Sequence, residues 1–264
     1  MSTPEHGYPL GARISPRVQV ADTTGSTNAD VVAALAADPD GWPHLSLLLT
    51  TDQRHGRGRL DRTWTAPPGT ALAVSVVVRV PGLPVHARGW IPLIAGTAMA
   101  RAVRAQLGSA APEVAVKWPN DVLVAGKKIC GILAEAVPAH PDAVVVGAGV
   151  NTRMRAEDLP VATATSFSAL GREADEDLLL ADYLTQLRDL LAALTRAGGD
   201  ADAAGVRDAV SGSCATLGAE VTVALPDGSP LLGTAVRLDA EGRLVVARGG
   251  VEAVVAAGDV THVR

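Results

Sequence analysis

The sequence is poor in the features that mark several specialised classes of protein. Only two of its 264 residues are cysteines, Cys130 and Cys214, and they form no CxxC pair. This argues against a disulfide framework and against a cysteine zinc site. Aromatic residues make up only 3 % of the chain, and no apolar run reaches the roughly 18 residues that a membrane span needs. We therefore expect a globular protein with two buried or free thiols and no membrane contact.

The chain also lacks the cationic excess of a general nucleic-acid-binding protein. It carries 28 Asp and Glu against 23 Lys and Arg, which gives a formal net charge of -5. Domains that bind nucleic acid usually present a broad basic surface. The first residues contain Glu5 before any cation and no apolar segment, which argues against a signal peptide and predicts a cytoplasmic protein. Any anion site is therefore expected to be local.

Hydrophobic patterning predicts an α+β protein in two units. Strand-length apolar segments separated by turns accumulate up to residue 151, and residues 176–199 repeat leucine at helical spacing. The last fifty residues contain four or five short strand patterns punctuated by PDG, DAEG and RGG, which is typical of a small β-barrel. We predict a flexible tail over 1–13, a main unit over 14–213 and a small β-barrel over 214–264.

One short segment, QRHGRGRLDRTW at residues 53–64, concentrates positive charge in this acidic chain. Its arginines are Arg54, Arg57, Arg59 and Arg62. The glycines at 56 and 58 allow the backbone to approach a ligand closely, and an arginine fork matches carboxylate or phosphate oxygens. A solvated basic loop and a nucleic-acid contact are the alternative interpretations, and Trp64 either stacks on a purine ring or begins a core strand.

Two further polar motifs end apolar strands. In KWPND, residues 117–121, Lys117 follows three apolar residues, and burying it is costly unless an anion meets it. The alternative is an ordinary strand-end turn with the lysine reaching solvent. GAGVN, residues 147–151, is not a dinucleotide fingerprint, because Thr152 stands where the third glycine is required.

In order and content, five motifs resemble those of the biotin protein ligases. They are STN at 26–28, Q-x-x-GRGR-x-x-R-x-W at 53–64, KWPND at 117–121, GKKICGIL at 126–133 followed by Glu135, and GAGVN at 147–151. The resemblance runs from about residue 18 to the end of the chain. It implies a catalytic unit with a mixed, largely antiparallel sheet flanked by helices, similar to class II aminoacyl-tRNA synthetases, and a C-terminal SH3-like β-barrel.

The resemblance also implies a two-step reaction. Such enzymes join the carboxylate of biotin to the α-phosphate of ATP with Mg²⁺, release pyrophosphate, and pass biotin from biotinyl-5′-AMP to a lysine of a biotin carboxyl carrier protein, such as the acetyl-CoA carboxylase subunit. Some members carry an N-terminal helix-turn-helix domain and act as repressors. Because STN begins here at residue 26, we expect neither repressor function nor DNA binding.

Residue roles follow from the same resemblance. Biotin is expected to contact Ser26, Thr27, Asn28, Gln53, Arg57, Gly58, Arg59 and Lys117. ATP and the adenylate are expected to contact Arg59, Arg62, Trp64, Lys117, Gly149 and Asn151. Lys117 and Arg57 are expected to be catalytic, since fixed cations offset the repulsion between a carboxylate and a triphosphate. Asp121 either holds the metal or only forms the turn.

Two other functions stay open on the sequence alone. Lipoate ligases and octanoyl transferases share the implied fold, but their motifs do not match the arginine segment followed by KWPND. A non-enzymatic module that binds anions or nucleic acid is the other alternative. The arginine segment is expected to be open or disordered without ligand and to close over biotinyl-5′-AMP, because its charges repel one another when no anion is bound.

Overall fold

The computed structural model describes residues 7–60, 62–109, 112–225, 229–256 and 258–262. Its α-helices are α1 (Thr27–Ala37), α2 (Trp90–Leu107), α3 (Glu176–Arg196) and α4 (Val206–Ser211). Its first nine strands are β1 (Val18–Val20), β2 (Leu47–Thr50), β3 (Gly56–Arg57), β4 (Thr63–Trp64), β5 (Ala71–Arg79), β6 (Val114–Lys117), β7 (Asp121–Val124), β8 (Lys127–Ala136) and β9 (Ala143–Asn151). The C-terminal strands are β10 (Glu220–Ala224), β11 (Pro230–Leu238), β12 (Leu244–Arg248), β13 (Val251–Val255) and β14 (Asp259–His262).

A seven-stranded sheet in the order β1-β2-β5-β9-β8-β7-β6 forms the centre of the main unit. Strands β1 and β2 are parallel, and the other neighbouring pairs are antiparallel. This confirms the predicted α+β class with a mixed, largely antiparallel sheet. None of the described helices is long and apolar enough to cross a membrane.

The two faces of this sheet differ in what they bury. On β5, alternate residues such as Leu72, Val74 and Val76 join the large core that α2 and α3 cover. The opposite face packs against α1 through a smaller core that includes Val77 and Val31. Because side chains alternate along a strand, the α1 face of β5 continues into Ala73 and Ser75. These small residues leave a space on that face, and the candidate site occupies it.

The C-terminal strands form a second, five-stranded antiparallel sheet in the order β13-β12-β11-β10-β14. The number of strands agrees with the sequence prediction. In the described residues the pairing runs from β13 at one end to β14 at the other. Closure into an SH3-like barrel therefore stays a prediction.

Residues near both predicted ends of the main unit make contacts with it. Residues 7–13 were expected to belong to a flexible tail, but Tyr8 is buried and the amides of Leu10 and Gly11 donate to Asp177 of α3. These residues are therefore packed into the fold, whereas residues 1–6 lie outside the described part. At the other end, residues 213–216 run beside β6, where the Val116 amide donates to the carbonyl of Ser213. The predicted boundary at 213/214 falls inside this segment, and the division into two units stays a prediction.

Candidate active site

The N-terminus of α1 presents the STN motif to the sheet. Ser26 is the N-cap, and its hydroxyl accepts from the Ala29 amide at 3.4 Å. Thr27 is the first helical residue, and both its amide and its hydroxyl donate to Gln53 Oε1, at 2.8 and 3.0 Å. Gln53 is thereby fixed beside the helix.

A buried polar cluster continues from this helix across the sheet. Ser75 Oγ lies 2.7 Å from Thr27 Oγ1 and 2.5 Å from Asn28 Oδ1, and it donates to one of them at a time because a hydroxyl carries one hydrogen. Asn28 Nδ2 donates to Glu135 Oε2 at 2.7 Å and to the Leu133 carbonyl at 3.2 Å. The cluster holds several donors and acceptors in fixed positions at one end of the cavity.

The cavity itself lies between α1, the sheet and the β3–β4 hairpin, and it encloses about 880 Å³ including space open to solvent. Its floor is a cross-strand row in which Gly149 pairs with Ala73 on one side and with Gly131 on the other. The predicted site residues that line it are Ser26, Thr27, Asn28, Gln53, Arg57, Gly58, Arg59, Arg62, Trp64, Asp121 and Gly149. The structure thus brings most of the predicted site together.

The glycines of GAGVN are explained by what lies above them. A Cβ atom added to Gly149 would lie 2.7 Å from the Trp64 ring, and one added to Gly147 would lie 2.4 Å from Asn28 Oδ1. Real Cβ atoms essentially never show contacts this short. Trp64 and Asn28 therefore reach their positions only because β9 carries glycine beneath each of them.

The arginine segment forms the two-residue strands β3 and β4 and lies across the cavity. Arg57 Nη2 forms an ion pair with Glu135 Oε2 at 2.9 Å. Arg59 donates at 3.3 Å to Asn120 Oδ1 and, with its other terminal nitrogen, at 3.3 Å to the carbonyl of Gly258. The hairpin is therefore tied both to the main sheet and to the C-terminal sheet.

Lys128 is a charged cavity residue that was not predicted from the sequence. Its Nζ lies 2.7 Å from Asp121 Oδ1, and both residues line the cavity. The signal was the adjacent lysine pair of GKKICGIL: in the structure, Lys127 is exposed and Lys128 is half-buried. Because neighbouring residues on a strand face opposite ways, one lysine of such a pair can face a site while the other faces solvent.

The structure does not place Lys117 and Asn151 on the cavity wall. Lys117 ends the edge strand β6, and its charge, together with the larger effect of burial, lowers the pKa of His262. Asn151 Nδ2 donates at 2.9 Å to the carbonyl of Thr165, and the Thr165 amide donates to the carbonyl of Lys128. Asn151 thus supports the segment that holds Lys128.

Among the described residues, the charged side chains that line the cavity are mainly cationic. They are Arg57, Arg59, Arg62 and Lys128, together with the carboxylate of Asp121. Cys130 lies in β8, but it belongs to the core on the opposite face of the sheet. Burial raises its pKa to about 12, so it remains a thiol at neutral pH. The arrangement suits the binding and activation of anions by fixed positive charge.

Comparison with known proteins identifies the fold. The biotin protein ligase of Aquifex aeolicus, solved with biotin and ATP, matches with a TM-score of 0.75 at 21 % identity, over 94 % of this chain and 99 % of that one. The Leishmania major biotin protein ligase, solved with biotinyl-5-AMP, matches with a TM-score of 0.61 at 25 % identity over 94 % and 99 %. The chain thus has the fold of these ligases.

Sequence comparison gives the family. Residues 22–151 match the model of the biotin/lipoate A/B protein ligase family. The biotin–(acetyl-CoA-carboxylase) ligase of Mycobacterium tuberculosis is 40 % identical over 252 residues, which are 94 % of this chain and 90 % of that protein. The bifunctional ligase/repressor of Escherichia coli is 36 % identical over 143 residues, 53 % of this chain and 43 % of that one. This chain belongs to the biotin/lipoate A/B protein ligase family, among the biotin–(acetyl-CoA-carboxylase) ligases.

Proposed function

We propose that the protein activates biotin with ATP as biotinyl-5′-AMP and transfers the biotinyl group to a lysine of a biotin carboxyl carrier protein. The observation that carries this proposal is the cavity, whose lining combines a fixed polar cluster with arginines and a lysine. A substrate with a polar head and a carboxylate, followed by a nucleotide, fits that combination. We further propose that the enzyme works in the cytoplasm and does not bind DNA.

The polar end of the cavity is suited to the ureido ring of biotin. Ser26, Thr27 and Asn28 are at least nine-tenths buried, and Gln53 is held by two hydrogen bonds from Thr27. A ring that donates and accepts hydrogen bonds replaces the water these groups would otherwise bind, and a ligand without such groups leaves them unsatisfied. This end therefore favours biotin over a purely apolar acyl chain.

The cationic end is suited to the first chemical step. A carboxylate oxygen of biotin attacks the α-phosphorus of ATP, the bond to the β-phosphate oxygen breaks, and pyrophosphate leaves. Because both reactants are anions, fixed positive charge that meets the developing charge lowers the barrier. Lys128, held by Asp121, and the hairpin residues Arg57 and Arg59 occupy the positions from which such charge can act.

Lys117 keeps a smaller role in this proposal than the sequence suggested. It lies in the same cross-strand row as Asp121 but one strand further out, at the edge of the sheet. From there we expect it to raise the positive potential on the nucleotide side without touching the reacting oxygens. Lys128 takes the catalytic place first assigned to Lys117.

The residues present fit a magnesium ion that arrives with ATP. No group of three or more His, Cys, Asp or Glu side chains in the described part of the chain is arranged to hold a metal. Mg²⁺ often needs only one or two carboxylates when phosphates and water complete its shell. Asp121, with the neighbouring Asn120 amide, would hold it, and the bound ion would neutralise phosphate charge.

Trp64 and Arg62 are proposed to bind the nucleotide. Trp64 lies on Gly149 with its ring exposed to the cavity, so that a purine can stack on it.

In the second step the carrier lysine attacks the acyl carbon of biotinyl-5′-AMP and AMP leaves. The hairpin over the cavity would protect this mixed anhydride from water until the carrier binds.

The test is biotin-dependent exchange of radioactive pyrophosphate into ATP. We expect exchange with biotin and not with lipoate, which separates this function from lipoate ligation. Lys128→Ala is expected to lower the exchange rate by about 10²–10³, the usual cost of losing one preorganised charge-stabilising donor. Lys117→Ala serves as the matched control and is expected to lose about tenfold or less. Exchange with lipoate alone, or with neither acid, would overturn the proposal.

A further inference from the structure

Two tryptophans of the main unit hold one turn of the C-terminal sheet. The turn joins β11 to β12 and comprises residues 239–242. Trp90 Nε1 donates to the carbonyl of Ala240 at 2.9 Å, and Trp118 Nε1 donates to the carbonyl of Gly242 at 3.1 Å. Both indoles are almost fully buried, so each lost hydrogen bond would leave a polar group unsatisfied.

The turn is rigid and closely fitted. Asp239 Oδ1 accepts from the amides of Glu241 and Arg243, at 2.9 and 3.0 Å. A Cβ atom on Gly89 would lie 2.3 Å from the Glu241 carbonyl oxygen, so the turn sits directly against the start of α2. The two sheets are therefore held in one relative position at this contact.

Only one of these tryptophans belongs to a segment that builds the active site. Trp118 lies in the segment 117–121, whose residues Asn120 and Asp121 line the cavity. Trp90 begins α2, which contributes no residue to that lining in the described part of the chain. The same turn thus contacts the site through Trp118 and the core through Trp90.

The segment 117–121 has two further links to the C-terminal region, one direct and one through Arg59. The Trp118 amide donates to Thr216 Oγ1 at 3.0 Å. Asn120 Oδ1 accepts from Arg59, whose other nitrogen donates to the carbonyl of Gly258. Neither Trp118 nor Thr216 lines the cavity, yet both restrain a segment that does.

We propose that Trp118 is a positioning residue for the nucleotide side of the active site. By joining the segment 117–121 to the turn 239–242, it fixes Asn120 and Asp121 against Lys128 and Arg59. This inference rests on the proposed function, because it is measured through ATP use.

The test compares Trp118→Phe with Trp90→Phe in the full-length enzyme. Each variant keeps an aromatic ring and removes one indole N–H that donates to the same turn. The loss of stability is therefore expected to be similar in the two variants. In the pyrophosphate exchange assay, Trp118→Phe is expected to raise KM for ATP by roughly three- to tenfold, the effect of about one hydrogen bond, while KM for biotin changes less than about twofold. Trp90→Phe is expected to lower Tm by about as much as Trp118→Phe does. It is expected to leave both KM values within about twofold.

Two outcomes overturn the role of Trp118. One is the same KM for ATP in the two variants, and the other is a parallel rise of KM for biotin. If Trp118→Phe does not fold, Thr216→Val replaces it, with Thr216→Ser as the variant that restores the hydroxyl; the valine alone should raise KM for ATP. A wild-type enzyme without biotin-dependent exchange would overturn the proposed function itself, which is a distinct result.

Discussion

At the scale of single residues, Gly147 and Gly149 lie beneath two different side chains of the cavity. Neither glycine has a left-handed backbone that alanine would strain, so an added methyl group acts only through the side chain above it. That side chain is Asn28 for Gly147 and Trp64 for Gly149. The two positions therefore allow the proposed biotin and nucleotide ends to be disturbed one at a time.

We predict that alanine at these two positions affects different substrates. Gly147→Ala should raise KM for biotin, and Gly149→Ala should raise KM for ATP, each by about tenfold or more, since overpacking a fitted contact typically costs about 1–3 kcal/mol. Pyrophosphate exchange measured against each substrate gives both values, and each variant is the control of the other. The assignment of ends fails if both variants raise the same KM.

Glu176 is a buried carboxylate that does not line the cavity. Burial raises its pKa above the ordinary value of 4.5, although hydrogen bonds from Thr152 and Tyr8 favour the charged form. Between 4.5 and the raised value the folded protein binds this proton more tightly than the unfolded chain. The contribution of this group to the free energy of unfolding is therefore complete below pH 4.5. It is lost as the pH rises through the pKa that Glu176 has in the folded protein.

We predict that Glu176→Gln removes this component. The stability of the variant relative to wild type should improve as pH rises from about 4.5 to neutrality, because only the wild type must bury a charge. Urea unfolding at several pH values measures the difference, and Glu173→Gln, at an exposed position, gives the background. A difference that is constant with pH, or that moves the other way, contradicts the prediction.

At the scale of elements, the β3–β4 hairpin lies across the cavity. Its ion pair with β8 is partly exposed, because the Arg57 side chain that pairs with Glu135 is 49 % accessible. Exposed ion pairs of this kind usually contribute at most about 1 kcal/mol. The mutual repulsion of the hairpin's arginines works against this ion pair until an anion enters.

We predict that amide hydrogen exchange of residues 53–64 slows when biotin and ATP are added. Glu135→Gln should speed exchange in the free enzyme and have little effect once the adenylate has formed, because the anion then holds the arginines. Glu157→Gln, which removes an exposed ion pair between Glu157 and Arg155, is the matched control. Equal protection of the hairpin with and without ligands would show that it does not close.

The elements themselves were largely predictable, because apolar pattern decides them. The leucine repeat over 176–199 begins at the first residue of α3 and runs three residues past its end. The choice between Lys117 and Lys128 was not predictable in the same way. It depends on strand register and on the irregularity between Val122 and Leu123, neither of which a local pattern encodes.

At the scale of the whole molecule, contacts between distant segments join the two sheets. Besides the two indole bonds, Arg207 Nη1 donates to the carbonyl of Leu238 at 2.9 Å. Patterning marked the last fifty residues as separate strands but could not show that their turns dock on Trp90 and Trp118, since these partners lie more than a hundred residues away in sequence.

We predict that the protein unfolds in one cooperative transition. Trp90 and Trp118 report on the contact between the sheets, so tryptophan fluorescence should change at the same temperature as far-UV circular dichroism. Calorimetry should show a single peak whose calorimetric and van't Hoff enthalpies agree. A fluorescence change that precedes the main transition would show that the C-terminal sheet separates first.

The burial of both cysteines has a practical consequence for labelling. Both are buried and unpaired, and burial raises the pKa of each thiol, so neither reacts readily with a maleimide. Leu60, at the tip of the hairpin, is 64 % exposed. A cysteine placed there by Leu60→Cys would be the preferred site for a fluorescent label, and the opening and closing of a single hairpin would become visible in real time without removing any native residue from the core.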